Sequence, residues 1–273
     1  MTNGTQTSSF GVSARLNHDA CKFYNTKMYK EINLDGNKTF EKENFIPQAY
    51  INKIFCSSSK NMKELPDKSV HLMITSPPYN VGKDYDKDLS LSEYLNILKD
   101  VFKETKRVLV TGGRVCVNVA NLGRKPYIPF HSYIIQIMSE LGFLMRGEII
   151  WNKSSSAGSS TAWGSWKSAK NPTLRDVHEY ILIFSKDNYS RDRANKKDSI
   201  TKENFMELTK SIWTFPAVSA RKIGHPAPFP EELPKRLIEL YSFEKDIILD
   251  PFMGSGQTAI ASLKSNRNFV GYE

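Results

Sequence analysis

Residues 69–75, SVHLMIT, form an apolar run that stops abruptly at a proline-rich step, which predicts a buried strand feeding a rigid loop. A shorter apolar stretch at 51–56 predicts another strand. Leu91, Tyr94, Leu95, Leu98, Val101 and Phe102 then recur at three- and four-residue spacing through about residue 107, the pattern of an amphipathic helix, and Ser90 with Glu93 supplies a capping box at its start. Thr111, Gly112 and Gly113 predict a break before RVCVNVAN, a β-branched run suited to a central strand. Helical spacing returns over 129–141 with Gly142 as its stop, and GEIIW at 147–151 predicts a strand. Past residue 222 the expected elements are a helix at 230–242, a strand IILD at 247–250, a helix at 257–265 and a final strand FVGYE. The alternation predicts an α/β fold with a doubly wound, predominantly parallel sheet.

Two stretches stand outside that rhythm. Residues 1–49 are polar and read as an N-terminal arm, with only Phe23, Tyr24, Met28 and Tyr29 suited to packing. Residues 152–222 are rich in Ser, Gly, Trp, Lys and Arg, interrupted by one strand pattern, EYILIF at 179–184, and read as an inserted module.

Composition narrows the picture. A chain of 273 residues, 40% hydrophobic, is long enough for one substantial core. Lys and Arg outnumber Asp and Glu by 38 to 29, and the resulting +9 favours polyanionic partners without singling out DNA. No stretch approaches the roughly 20 apolar residues of a membrane span, and the N-terminus is polar, so the expectation is a cytoplasmic protein with no membrane partner. Cys21, Cys56 and Cys116 are widely separated and read as buried thiols. Neither they nor His18, His71, His131, His178 and His225 show metal-ligand spacing, and no metal is expected.

Two constellations carry chemistry. DPFMGSGQTA, from Asp250, lies where a strand turns into a helix, the place where open α/β sheets bind nucleotide-like ligands. Gly254 and Gly256 permit close backbone approach there, and Glu273, after the next strand, can accept hydrogen bonds from a ribose diol. The second is Ser76-Pro-Pro-Tyr79, also directly after a strand, where Pro77 and Pro78 stiffen the loop. An exocyclic amino nitrogen is a poor nucleophile because its lone pair is delocalised into the ring. The Ser76 hydroxyl and the Pro77 carbonyl are suitable acceptors to hold it, and Tyr79 can stack on a base rotated out of a duplex. Taken singly, a glycine turn also serves helix packing and a Pro-Pro pair also merely ends a strand.

Together, and in this order, the motifs resemble the β class of amino-methyltransferases acting on DNA. In that class an (S/D/N)-P-P-(Y/F) motif precedes the target-recognition region and a D-P-F-x-G-S-G motif follows it. KIFCSSS at 53–59, GGRVCVNVAN, GEIIWNK and HPAPFPEEL at 225–233 are similar to further family segments, so the resemblance covers roughly residues 52–273. It implies a Rossmann-like, circularly permuted methyltransferase sheet with an inserted target-recognition region. The implied parts are an N-terminal arm (1–49), a catalytic part (50–153), a target-recognition insert (154–222) and a cofactor-binding part (223–273).

The implied cofactor is S-adenosyl-L-methionine. Asp250, Phe252, Gly254, Gly256 and Thr258 fall in its motif, Glu273 on its ribose, His225 and Pro226 on the opposite wall. Where family members often carry an Asp near the adenine, this chain has Ser57 and Ser58. A Ser in the first loop position usually accompanies cytosine N4 and an Asp adenine N6, so the resemblance implies cytosine N4, with adenine N6 the alternative. Duplex DNA is the implied partner, with Trp163, Trp166, Lys167, Arg175, Arg193 and Arg221 the candidate contacts. The Arg-rich run at 191–197 reads rather as a solvated loop than as a specific DNA contact, since Asp192 and Asp198 dilute it. A non-catalytic DNA-binding relative, or transfer to RNA or a protein amide, remains open. A cognate restriction endonuclease and a second copy of the chain are further implied partners. The chain ends at Glu273, whereas family members usually continue with a helix; the expected consequence is weaker cofactor binding, a dimer contact or a truncated chain.

Overall fold

The computed structural model describes residues 24–31, 39–79, 89–154, 164–218 and 229–273. The chain divides into two units, Met1–Asp35 and Gly36–Glu273. In the first, a short helix α1 (Lys27–Glu31) accompanies an edge-on contact between the rings of Tyr24 and Tyr29. The boundary expected at residue 49 therefore moves to 35. Residues beyond it are tied to the sheet: Ile46 is buried in the core, the Asn44 amide donates to the Lys68 carbonyl, and the Asn52 amide to that of Phe269.

In the second unit the elements follow as β1 (Lys53–Phe55), β2 (Val70–Thr75), α2 (Leu91–Val108), β3 (Leu109–Val119), β4 (Leu122–Gly123), β5 (Tyr127–Ile128) and α3 (Phe130–Glu140). Then come β6 (Phe143–Asn152), β7 (His178–Lys186), α4 (Lys202–Leu208), β8 (Ile212–Thr214), α5 (Glu232–Tyr241), β9 (Ile247–Asp250), α6 (Gln257–Lys264) and β10 (Asn268–Tyr272). Eight strands form one sheet in the order β1-β10-β9-β2-β3-β7-β6-β8, and β4 with β5 makes a separate ribbon. Pairing is parallel from β1 through β3, antiparallel on both sides of β7, and parallel again between β6 and β8.

Alternate side chains of the central strands enter two cores, one on each face. Met73, Val115, Val117, Leu182, Phe184 and Leu249 pack with Leu98, Phe102, Ile134 and Met138 of α2 and α3. Leu72, Ile74, Cys116, Ile181, Ile183 and Ile248 pack with Leu208, Leu233, Leu237 and Ala261 of α4, α5 and α6. The sheet is thus doubly wound. No helix among the described residues is long and apolar enough to cross a membrane.

Two expectations give way. Residues 111–113 do not break the chain: β3 runs through them as a bulge, pairing Leu109 with Val70 and then Arg114 with Leu72. Gly112 serves that bulge, with φ of 76° and the Ser190 carbonyl where a Cβ would lie. The stretch 154–222 is also not one separate module. Its strand β7 is inserted between β3 and β6, and β8 extends the sheet beyond β6, where Trp151 Nε1 donates to the Phe215 carbonyl at 3.0 Å.

The capping box is present at α2: Ser90 Oγ accepts from the Glu93 amide at 3.3 Å and Glu93 Oε2 accepts from the Ser90 amide at 2.8 Å. Ser90 Oγ also donates to Glu93 Oε2 at 2.6 Å, and this bond, with the one from the Ser90 amide, holds the Glu93 carboxyl below its ordinary range. Ser90→Ala is expected to lower stability by about 1 kcal/mol, measured by urea unfolding, with the denaturant dependence unchanged.

Candidate active site at the carboxyl ends of the parallel strands

Because β9 and β2 are parallel neighbours, the loops that follow them share one end of the sheet although 174 positions separate Ser76 from Asp250. After β2, Ser76 is half-buried, Pro77 buried and Pro78 exposed. The Tyr79 ring packs against the α2 side of the core, its hydroxyl accepts from the Ala120 amide at 2.9 Å, and the Ser76 hydroxyl bonds it as well. Burial, reinforced by the charge of Glu179, keeps this phenol un-ionised well above the ordinary tyrosine range. Tyr79 is consequently a fixed aromatic surface.

After β9 the geometry corrects one expectation. Asp250 and Thr258 are fully buried and do not line a cavity. The Asp250 carboxyl accepts from Thr75 Oγ1 and Thr258 Oγ1, both at 2.7 Å, and from the Phe252 amide at 3.1 Å, knitting β2, β9 and α6 together. Burial pushes it up to about 7. The sequence assigns Thr75 no role beyond ending its strand; the structure makes it a donor to Asp250. Gly254 and Gly256 adopt left-handed backbone with φ of 49° and 79°, and Gly256 opens α6. The Gly254 amide donates to Glu273 Oε2 at 2.7 Å, while the Glu273 amide donates to the Phe55 carbonyl.

Between the two loops lies a cavity of about 400 Å³, a size suited to a small-molecule ligand. Ser76, Pro77, Pro78 and Tyr79 meet Phe252, Gly254 and Glu273 there, with Val101 of α2 and Ser57, Ser58 and Ser59 after β1. Cys56 also lines it and is exposed, against the expectation of a buried thiol; Cys116 is buried. The donor set fits an adenosyl ligand: a carboxylate at the end of β10 for vicinal hydroxyls, apolar walls from Pro77 and Phe252, and a glycine turn that leaves room for the ligand.

Strand direction decides which basic residues lie near this cavity. β6 runs with β3 and β7 returns against both, so the segment joining β6 to β7 leaves the sheet at the cavity end. It carries Trp166, 66% exposed with the Lys167 ammonium over its ring at 5.5 Å, and the exposed Arg175. Arg193 lies at the opposite end. It ion-pairs with Asp198 and bonds the Lys196 carbonyl, and Lys196 in turn meets Asp246, the residue before β9. Arg191 also pairs with Asp246, at 2.5 Å. That basic run ties the amino end of the strands, the end away from the cavity. Trp163, Arg221, His225 and Pro226 lie outside the described residues.

An open, doubly wound sheet whose parallel strands carry a glycine turn, a following acid and a rigid Ser-Pro-Pro-Tyr loop at one end defines a Rossmann-like methyltransferase. Residues 70–273 match the model of the DNA methylase family whose members act on N6 and N4 amino groups, and the chain belongs to that family. It is 31% identical over 266 residues to the type II methyltransferase M.MjaI of Methanocaldococcus jannaschii, a match covering 81% of this chain and 86% of that one. The structure of TTHA0409 from Thermus thermophilus complexed with S-adenosyl-L-methionine superposes with a TM-score of 0.64 at 29% identity, covering 81% and 88% of the two chains. PvuII DNA methyltransferase, cytosine-N4-specific, shares the fold at a TM-score of 0.64 and 20% identity, covering 81% and 80%. The chain is thus an S-adenosyl-L-methionine-dependent DNA amino-methyltransferase.

Proposed function

We propose that this methyltransferase modifies the N4 amino group of cytosine in duplex DNA, as the protecting partner of a restriction endonuclease that reads the same site. The observation that carries the cytosine assignment is Ser76, a hydroxyl rather than a carboxylate, half-buried at the cavity and bonded to Tyr79. In the family this chain resembles, a Ser at this loop position usually accompanies cytosine N4 and an Asp adenine N6; as an acceptor for the amino group the hydroxyl serves where other members use a carboxylate.

The base leaves the duplex and stacks on Tyr79, whose hydroxyl is already held by Ala120. Ser76 Oγ and the Pro77 carbonyl accept from the amino group and turn its lone pair away from the ring, and Pro78 keeps that loop rigid. Bound S-adenosyl-L-methionine supplies an electrophilic methyl group. Glu273 would hold its ribose side, Phe252, Gly254 and Gly256 its methionine side with Ser58 near the adenine, and His225 and Pro226 are expected on the opposite wall. Asp250 and Thr258 act from beneath by fixing the turn. Orientation of the amino group against the methyl accounts for most of the acceleration. The segment between β6 and β7, with Trp166, Lys167 and Arg175, is the part of the 154–222 stretch that faces DNA; Trp163 and Arg221 belong to the same reading.

Tritium transfer from labelled S-adenosyl-L-methionine to mixed-sequence duplex DNA, followed by nucleoside chromatography, tests this. Label in N4-methylcytosine is the expected outcome. Label in N6-methyladenine would overturn the cytosine assignment, and label in RNA or protein alone would overturn the DNA substrate.

A further inference from the structure

The cofactor cavity lies on the β9 and β10 side of β2. On the other side of β2 stand β3, β7 and β6, and at the cavity end of the sheet they bring together three polar side chains. Asn118 is next to last in β3, Glu179 is second in β7, and Lys153 directly follows β6. Asn118 Nδ2 donates to Glu179 Oε2 at 2.6 Å, and Lys153 Nζ donates to Glu179 Oε1 at 2.5 Å. Asn118 is 2% exposed, and its Oδ1 has no hydrogen-bond partner among the described residues. Leaving a buried carbonyl unpaired is costly, and such orphans occur where something outside the fold completes them. Glu179 and Lys153 are open to solvent at one edge, with 15% and 23% of their side-chain surface exposed. Ala120, two residues after Asn118, donates its amide to the Tyr79 hydroxyl at 2.9 Å, which places the set beside the stacking surface.

We propose that Asn118, Glu179 and Lys153 form the subsite that holds the Watson–Crick edge of the rotated-out base, an inference that rests on base methylation as proposed above. Beyond its amino group an amino-pyrimidine presents acceptors, the ring nitrogen and a carbonyl oxygen, and these require a donor. Lys153 Nζ is that donor, and Glu179 fixes its direction. Asn118 Oδ1 takes an amino proton, adding an acceptor to those of Ser76 and Pro77. Strand pairing, with Val119 opposite Tyr180 and Trp151 opposite Glu179, holds the set on the sheet rather than on a loop.

The test compares duplexes carrying cytosine or 3-deazacytosine, which lacks the ring-nitrogen acceptor, at the methylated position. The wild-type protein is expected to lose at least about tenfold in kcat/KM on the analogue. Lys153→Met combined with Glu179→Met removes donor and carboxylate together, leaving no unpaired charge and introducing no amide N–H. This variant is expected to be slow on cytosine and to show no further loss on the analogue, with cofactor affinity and melting temperature near wild type. Lys153→Gln, which keeps a donor, is expected to retain part of the discrimination and provides the comparison if the double variant fails to fold. Undiminished discrimination in either folded variant, or none in the wild type, would overturn the subsite while leaving base methylation standing. If the wild type labels adenine, 1-deazaadenine replaces 3-deazacytosine with the same expected outcomes; a wild type that labels no base overturns both proposals.

Discussion

Ser76→Ala is expected to lower kcat by roughly a hundredfold or more while cofactor and DNA affinities change little. The substitution removes one oxygen from a half-buried position and no buried charge. Tyr79 loses its bond to Ser76 but keeps the one from the Ala120 amide, and its ring stays packed against the core, so the stacking surface survives. The loss therefore falls on the arrangement of the amino group, which matters only as its nitrogen becomes nucleophilic. Single-turnover methyl transfer measures the rate, and separate titrations of cofactor and duplex measure binding. An unchanged rate would remove Ser76 from the chemistry; a rate loss matched by weaker DNA binding would make it a binding residue. Tyr79→Phe separates the two functions of that loop, because the ring remains while the hydroxyl held by Ala120 and Ser76 is lost.

Local order was legible in the sequence wherever periodicity is local. The strand before Ser76, the capped helix α2 and the strand–turn–helix at Asp250 each carry a repeat of two or of three to four residues, or a glycine and proline stop, within a dozen positions. Long-range register is not written that way. EYILIF reads as a strand, yet nothing within it says that it returns antiparallel between β3 and β6, which dissolves the apparent insert. Gly112 illustrates the same limit: two glycines end a pattern locally, whereas a bulge depends on the partner strand. For charged residues the partner is equally hidden. Arg191 and Lys196 resemble a nucleic-acid patch until the fold brings Asp246 against them. Asp250 was recognised as part of a cofactor motif, but its contacts, Thr75 and Thr258, turn it inward. Motif recognition identifies the turn; which side chain faces the ligand depends on packing.

Asp250 is where that inward packing has the largest effect on stability. Asp250→Ala leaves the hydroxyls of Thr75 and Thr258 and the Phe252 amide without their buried acceptor, and is expected to lower stability by about 3 kcal/mol or more. Cofactor affinity falls with it, since Phe252 begins the glycine turn. Asp250→Asn keeps an oxygen for Thr75 and Phe252, and its comparison with wild type isolates the carboxyl. In the fold that carboxyl is raised from 3.8 to about 7 by burial. A carboxyl that binds its proton more tightly folded than unfolded adds stability that is fully present below the unfolded value and lost as pH rises through the folded one. Wild-type stability minus that of Asp250→Asn is therefore expected to decline between about pH 4 and 7 and to level off above, by no more than roughly 4 kcal/mol in all. Glu43, lowered to about 2, contributes in the opposite direction, but it is common to both proteins and cancels in the difference. Urea unfolding of the two proteins across that range measures it. A difference that grew with pH would mean that Thr75, Thr258 and the Phe252 amide hold Asp250 as an anion, and that burial is the smaller effect.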